Sequence, residues 1–140
     1  MKLLLDTHVL LWALNSKSDS SSDSSGDSSG SKSELSAAVR AEIASEENLV
    51  FVSIVSLWEL CIKESLDKIE LPADFYKKLQ PAGFEILPVS VHHLKALRRL
   101  PLHHRDPFDR MLVAQAQAEQ LTLVSRDHEI KKYHLSLLQA

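Results

Sequence analysis

Four acidic side chains, spread along the sequence, have the clearest potential for chemistry. They are Asp6, Glu59, Asp109 and Asp127. Carboxylates that gather in one place need either raised pKa values or a bound cation. Oxygen ligands without cysteine or histidine at ligand spacing favour Mg²⁺ or Mn²⁺. Such an ion activates water and neutralises a leaving oxygen, which suits hydrolysis of a phosphodiester backbone.

Positioning these acids requires a fold that brings distant segments together. Apolar runs bounded by polar residues alternate with longer helical patterns, which is the order of βα units around a parallel sheet, so the fold class is α/β. Strands are predicted at Lys2–Asp6, Leu49–Ser53, Glu85–Val89, Leu121–Ser125 and His134–Leu138. Helices are predicted at Thr7–Leu14, Ser36–Ser45, Val55–Leu66, Ala73–Leu79, Val91–Leu100 and Pro107–Gln120, with a short turn near Glu129–Lys132.

The predicted elements place all four acids at one edge of the sheet. Asp6 closes the first strand, and Asp127 follows the strand Leu121–Ser125, so both project from the carboxyl edge if these strands are parallel. Ligands bind outside that edge in open α/β sheets. Glu59 lies about one turn into a helix that leaves the edge, and Asp109 occupies the first turn of another. We therefore expect the carboxylates to converge.

Each acid also has an ordinary structural explanation. Asp6 and Asp127 can cap the elements that follow them. Ser56 and Glu59 fit the capping-box pattern S-x-x-E. Asp109 can favour the dipole of its helix. Independent caps have no need to share one sheet edge, although helix starts lie there in any βα fold.

A serine-rich segment interrupts an otherwise ordinary composition. The chain has 140 residues, of which 44% are hydrophobic and 25% charged, and we predict a single domain over residues 1–140. Residues 16–33 contain 11 serines among 18 residues and no apolar side chain, so a flexible tether is expected there. Asp19, Asp23 and Asp27 recur every four residues, but a calcium loop would need a closing glutamate.

Composition also bears on the disulfide content, cellular location and nucleic-acid binding of the protein. The single Cys61 excludes an internal disulfide. No apolar run approaches the roughly 20 residues of a membrane-spanning helix, and the first residues lack a cleavable signal pattern, so a cytoplasmic location is expected. A formal charge of -3 argues against coating of nucleic acid by bulk attraction, although a local basic patch can coexist with it.

Several motifs together resemble the PIN domains, and within them the VapC-like toxin ribonucleases of VapBC type II toxin–antitoxin systems. The matching stretches are LLLDTHVLLWAL at Leu3–Leu14, VSIVSLWELCIK at Val52–Lys63, KIELP at Lys68–Pro72, LPLHHRDPFDRMLVAQA at Leu100–Ala116 and LTLVSRD at Leu121–Asp127. The resemblance implies a three-layer α/β/α sandwich with a central, mainly parallel sheet of about five strands. It also implies an Mg²⁺-dependent endoribonuclease that hydrolyses RNA by metal-activated water, with Mn²⁺ as a plausible substitute. As a toxin, it would have a cognate antitoxin and form a homodimer.

The same resemblance orders the acids as catalytic residues and metal ligands. By position, Asp6 matches the first acid of the family, Glu59 the second, Asp109 the third and Asp127 the fourth. Asp106 lies one turn before the third acid and could be mistaken for it. Its position ahead of a proline at the first helical position favours an N-cap role instead.

Further residues are assigned supporting roles. Thr7 and Ser125 resemble the small hydroxyl residues that support the acids, and Asp106 joins them as a cap. His104, Arg105 and Arg110 flank the third acid and are candidates for contacts with bound RNA.

Some features leave alternatives open. The long serine tether departs from the short link expected between the first two helices, and Asp67 stands where relatives often have glycine. A catalytically silent PIN-fold binding module is the main alternative function. A phosphatase with Asp6 as nucleophile would need a second aspartate where His8 stands. Trp58 is interpreted as a core residue, with a partner-facing groove as the other possibility.

Overall fold

The computed structural model describes residues 1–18 and 35–140. In order, their elements are β1 (Lys2–Leu5), α1 (Thr7–Ser18), α2 (Ala37–Ala44), β2 (Leu49–Ser53), α3 (Ile54–Ser65), β3 (Phe84–Leu87), α4 (Val91–Arg99), α5 (Pro107–Glu119), β4 (Thr122–Ser125) and β5 (Ser136–Gln139). Short 3₁₀ helices lie at Tyr76–Lys78 and His128–Lys132. Within these described ranges, no helix is long and apolar enough to cross a membrane.

The strands form one parallel sheet in the order β3-β2-β1-β4-β5. The first strand is central, and its last residue, Leu5, pairs with Val52 on one side and Val124 on the other. The carboxyl ends of the three middle strands are therefore level with one another. The predicted α/β class with a parallel sheet is confirmed.

Helices cover both faces of this sheet. Successive residues of a strand point to opposite faces, and β1 follows that rule with three fully buried leucines. Leu3 and Leu5 pack in the same cluster as Val9 of α1, whereas Leu4 packs in the cluster that contains Leu112 of α5. Burial of each such leucine contributes about 1.5–3 kcal/mol. The result is the expected α/β/α sandwich, with β1 fixed from both sides.

Some predicted elements differ from those observed. The helix predicted at Ala73–Leu79 is wrong: the segment forms turns around the 3₁₀ helix Tyr76–Lys78. The Phe75 N–H bonds to the Pro72 carbonyl, and the Lys78 N–H is shared between the Asp74 and Phe75 carbonyls at 3.2 and 3.3 Å, so i→i+3 bonds interrupt the i→i+4 pattern of an α-helix. The first helix was predicted to end at Leu14, but α1 continues to Ser18. The rest of the predicted tether, 19–33, lies outside the described residues.

The core position predicted for Trp58 is also wrong. Its side chain lies on the outer side of α3 and is 60% exposed. The indole contacts the Phe108 ring edge-on, with 5.1 Å between ring centroids. Local sequence cannot reveal this, because the neighbouring Leu57 is the residue that packs against the core.

Candidate active site

Asp6 lies directly after the central strand, and both of its carboxylate oxygens have partners. Oδ1 accepts a hydrogen bond of 2.8 Å from the Val9 N–H, which caps α1. Oδ2 accepts one of 2.6 Å from the Ser125 hydroxyl. The cap predicted from sequence is therefore real. It uses only one oxygen, which leaves the other to face the neighbouring strand β4.

Ser125 links Asp6 to the acid that follows β4. The Ser125 hydroxyl donates to Asp6 and accepts a 3.0 Å bond from the Asp127 N–H. Asp127 divides its oxygens as Asp6 does: Oδ1 accepts from the Glu129 N–H at 2.9 Å, and Oδ2 lies 2.7 Å from Nε2 of His104. Two acids from distant parts of the chain are thus held through one buried hydroxyl.

Asp109 reaches the same edge from the first turn of α5. Its helix is capped by Asp106, whose Oδ1 accepts from the N–H groups of Phe108 and Asp109 at 2.8 and 3.2 Å. The predicted N-cap role of Asp106 is confirmed. Oδ2 of Asp109 lies 3.2 Å from Nε2 of His104, the ring atom that also contacts Asp127.

Glu59 joins the site through Thr7. Its helix, α3, begins at Ile54, one residue earlier than predicted, and is capped by Ser53, so the proposed capping box with Ser56 does not form. Glu59 instead accepts a 2.6 Å bond from the Thr7 hydroxyl at Oε1, and its Oε2 lies 3.5 Å from Nζ of Lys63. Because Thr7 is the residue after Asp6, Glu59 flanks the first acid.

His104 is the site residue whose position sequence reasoning missed. It was expected to face bound RNA, but its imidazole lies between Asp109 and Asp127. One possible metal-ligand atom from each of these three residues lies within 4.8 Å of the other two. Among the described residues, this is the one group of three or more such side chains. His104 has partners, Tyr133 and Asp127, that lie far along the chain, so no local signal in the sequence marks this position.

The electrostatics of the cluster penalise full ionisation. Burial raises the pKa of Asp6. Burial, together with the charges of Asp106, Asp6 and Asp127, raises the pKa of Asp109 from 3.8 to about 7, although His104 opposes the shift. Burial also acts to raise the pKa of Asp127, but the His104 hydrogen bond and the Glu129 N–H bring it below its usual value.

The donor chemistry of this edge fits a hard divalent cation. Three aspartate carboxylates converge, and two of them carry raised pKa values. A nearby cation would favour the ionised forms that burial and mutual repulsion disfavour. Carboxylate oxygens are the ligands that Mg²⁺ and Mn²⁺ prefer.

The remaining candidates for nucleic-acid contact lie at the rim. Arg105 is exposed. Arg110 donates from Nη1 to the Pro101 carbonyl at 3.1 Å and lies 3.4 Å from the Tyr133 hydroxyl, so it stabilises the loop before α5. Of the two arginines, Arg105 is the exposed one, and it follows His104 directly in the loop before α5.

A doubly wound parallel sheet with acids at its carboxyl edge defines the class of protein, and the comparisons identify the family. The model of the PIN domain family matches residues 29–134, so this chain belongs to the PIN domain family. PIN domains are generally nucleases. The matched stretch contains Glu59, Asp109 and Asp127, whereas Asp6 precedes it. No curated protein sequence matches this chain.

Solved structures with the same fold include three assemblies. The chain is similar to one in VapBC2 from Rickettsia felis bound to a promoter DNA fragment, with 20% identity, a TM-score of 0.68 and coverage of 99% of this chain and 98% of that chain. A chain in a toxin–antitoxin complex from Klebsiella pneumoniae is 14% identical, with a TM-score of 0.58 and coverage of 97% of this chain and 95% of that chain. A chain in FitAcB from Neisseria gonorrhoeae is 17% identical, with a TM-score of 0.55 and coverage of 97% of this chain and 96% of that chain. At these identities, the likeness supports the fold.

Proposed function

We propose that this chain is a divalent-metal-dependent endoribonuclease that acts as the toxin of a toxin–antitoxin pair. The observation that carries the proposal is the convergence of Asp6, Asp109 and Asp127 from three separate segments, with ionisation of Asp109 disfavoured up to pH about 7. Capping explains one oxygen each of Asp6 and Asp127, but it does not explain the approach of Asp109, whose ionised form the neighbouring carboxylates disfavour. A cation site makes the same arrangement useful.

Asp6, Asp109 and Asp127 would hold the cation, with Glu59 beside them. When bound, the ion supplies water of lowered pKa and neutralises charge that develops on the phosphate. The protein's own part is to fix the carboxylates. Ser125 orients Asp6, and the Thr7 hydroxyl holds Glu59 at 2.6 Å. We propose Mg²⁺ as the physiological ion, with Mn²⁺ as a substitute.

The substrate is proposed to be RNA, on the strength of the family resemblance. Arg105 is exposed and follows His104 directly in sequence, and its guanidinium can pair with a phosphate of a bound strand. Lys63, 29% exposed and 3.5 Å from Glu59, adds a second positive charge at the rim.

The test is cleavage of labelled single-stranded RNA by the purified chain with Mg²⁺ or Mn²⁺. We expect wild-type protein to cut, EDTA to stop the reaction, and Asp6→Asn to lose at least 100-fold in rate because one carboxylate charge is removed from the site. Asp74→Asn removes an exposed carboxylate remote from the site and serves as the matched control. Equal cleavage by wild type and Asp6→Asn contradicts the catalytic role of Asp6. Calorimetry that detects no Mn²⁺ binding by the wild type indicates a catalytically silent binding module.

The toxin role predicts a growth phenotype that depends on the same acid. Expression of the wild-type chain in bacteria should arrest growth, and Asp6→Asn at equal abundance should not. A cognate antitoxin is expected to restore growth and to inhibit cleavage by the purified chain. Arrest by both variants would separate toxicity from cleavage.

A homodimer is proposed through the exposed apolar face beside the site. A groove of about 450 Å³ runs between α3, α4 and α5, and its lining includes Trp58, Leu94, Phe108 and Met111. Apolar patches of this kind mark contact surfaces. Light scattering should report a dimer that Trp58→Arg converts to a monomer. Leu66→Arg, at a leucine with a similar exposed fraction of 59%, is the control.

A further inference from the structure

His104 joins two acids that lie on different elements. Its Nε2 is 2.7 Å from Oδ2 of Asp127 and 3.2 Å from Oδ2 of Asp109. The side chain is only 14% exposed, so these contacts are partly shielded from water. One ring nitrogen therefore sets the separation of two carboxylates that approach from β4 and α5.

The other ring nitrogen determines which atom carries the proton. The Asp106 backbone N–H donates to Nδ1 of His104 at 3.0 Å. A nitrogen that accepts this bond has no proton, so in the neutral ring the proton lies on Nε2 and points at the carboxylates. Both hydrogen bonds fit this tautomer, in which Nε2 donates and Nδ1 accepts.

The backbone of His104 is fixed as firmly as its ring. The hydroxyl of Tyr133, a buried residue, accepts from the His103 N–H at 3.1 Å and the His104 N–H at 2.9 Å. The loop between α4 and α5 is thus tied to the segment after β4. Backbone, Nδ1 and Nε2 each have a partner, so the imidazole has little freedom to turn.

We propose that His104 is a positioning residue, which donates from Nε2 to Asp127, lies within ion-pair distance of Asp109, and so presets the spacing at which these carboxylates receive the cation. A histidine that ligates a metal uses one nitrogen as ligand and donates from the other. His104 has the opposite arrangement, because Nδ1 accepts and Nε2 donates. It therefore orients ligands without being one. The inference rests on the metal site proposed above.

Two substitutions separate the roles of the two nitrogens. In His104→Asn, the amide oxygen can replace Nδ1 as acceptor for the Asp106 N–H, but no donor reaches the carboxylates. In His104→Gln, the longer side chain can place an amide N–H near the position of Nε2. Loss of the partner that orients a ligand typically weakens metal binding about 10- to 100-fold. We expect that loss in His104→Asn and a smaller one, under about 10-fold, in His104→Gln.

The first measurement is Mn²⁺ affinity by calorimetry, with RNA cleavage followed across Mn²⁺ concentrations. His104→Asn should recover most of its cleavage rate at saturating Mn²⁺, which a grossly misfolded site would not do. His92→Asn, at an exposed histidine on α4, is the control. Wild-type affinity in His104→Asn overturns the inference alone. Absence of Mn²⁺ binding by wild type overturns the proposed metal site as well, so the two failures are distinguishable.

The second measurement determines directly which ring nitrogen of His104 carries the proton. Imidazole ¹⁵N spectra of the wild-type protein, with the His104 signals assigned by their loss in His104→Gln, should show protonated Nε2 and unprotonated Nδ1. The pattern should persist when Mg²⁺ is added. Loss of the Nε2 proton on Mg²⁺ binding would make His104 a ligand and contradict a positioning role.

Discussion

Replacing Asp109 by asparagine should stabilise the metal-free protein at neutral and alkaline pH. Burial and the neighbouring acids raise the pKa of this carboxyl from 3.8 to about 7 in the folded state. An acid whose folded-state pKa is raised contributes its full stability only below the unfolded pKa, and that contribution is lost as the pH rises through the folded value. Asparagine cannot ionise, so the variant escapes this loss.

The magnitude follows from the size of the pKa shift. A rise from 3.8 to about 7 is about three units, which corresponds to an upper limit of about 4 kcal/mol. The Asp109 side chain is still 20% exposed, and water screens part of the repulsion. We therefore expect Asp109→Asn to raise the free energy of unfolding by about 1–3 kcal/mol at pH 8. The gain should be absent below pH 4 and should grow between pH 4 and 7.

Urea denaturation in EDTA at pH 4, 6 and 8 measures this difference directly. Asp74→Asn, at an exposed acid, should change the free energy of unfolding by less than about 1 kcal/mol at each pH. With saturating Mn²⁺ the order should reverse, because ligand binding stabilises the wild type more than a variant that lacks one carboxylate. A variant less stable than wild type at pH 8 in EDTA would refute the assigned ionisation penalty.

Three further substitutions test individual contacts. Ser125→Ala removes the donor to Asp6 and the acceptor for the Asp127 N–H, so urea denaturation should show a loss of about 1–3 kcal/mol; no loss would mean that these bonds are not formed in solution. Thr7→Val keeps the side-chain shape but frees Glu59, and the cleavage rate should fall roughly 10-fold with the melting temperature nearly unchanged, whereas an unaltered rate would remove Glu59 from the site. Asp67→Gly should stabilise the protein by about 0.5–1 kcal/mol in thermal melts, because Asp67 ends α3 with φ 57, a conformation that glycine adopts without strain; destabilisation would contradict this explanation.

Sequence patterns predicted the framework of the site because its elements have local signals. The strand Leu49–Ser53 is observed as predicted, and α5 begins at Pro107 behind its Asp106 cap. By the family resemblance, relatives often have glycine where this chain has Asp67, and the structure shows a local reason for that preference. The Lys68 N–H bonds to the Lys63 carbonyl and the Asp67 N–H to the Glu64 carbonyl, which is the pattern that closes a helix through a left-handed residue.

The parts that sequence could not predict depend on contacts between distant residues. His104 is placed by Tyr133 and Asp127, which lie 29 and 23 residues further along the chain. No local pattern distinguishes such a histidine from one that faces solvent. Trp58 is similar, because its exposure depends on how α3, α4 and α5 pack rather than on its neighbours in sequence.

The bond between Ser125 and Asp6 spans 119 residues of the chain, and this separation bears on synthesis. The central strand β1 is made before the other four strands, and its partner β4, with Ser125 and Asp127, is made after β2 and β3. A nascent chain on the ribosome therefore lacks two of the groups that define the site until β4 emerges and pairs with β1. If the protein cuts RNA, the part of its own message that encodes β1 to β3 is translated before the site is complete.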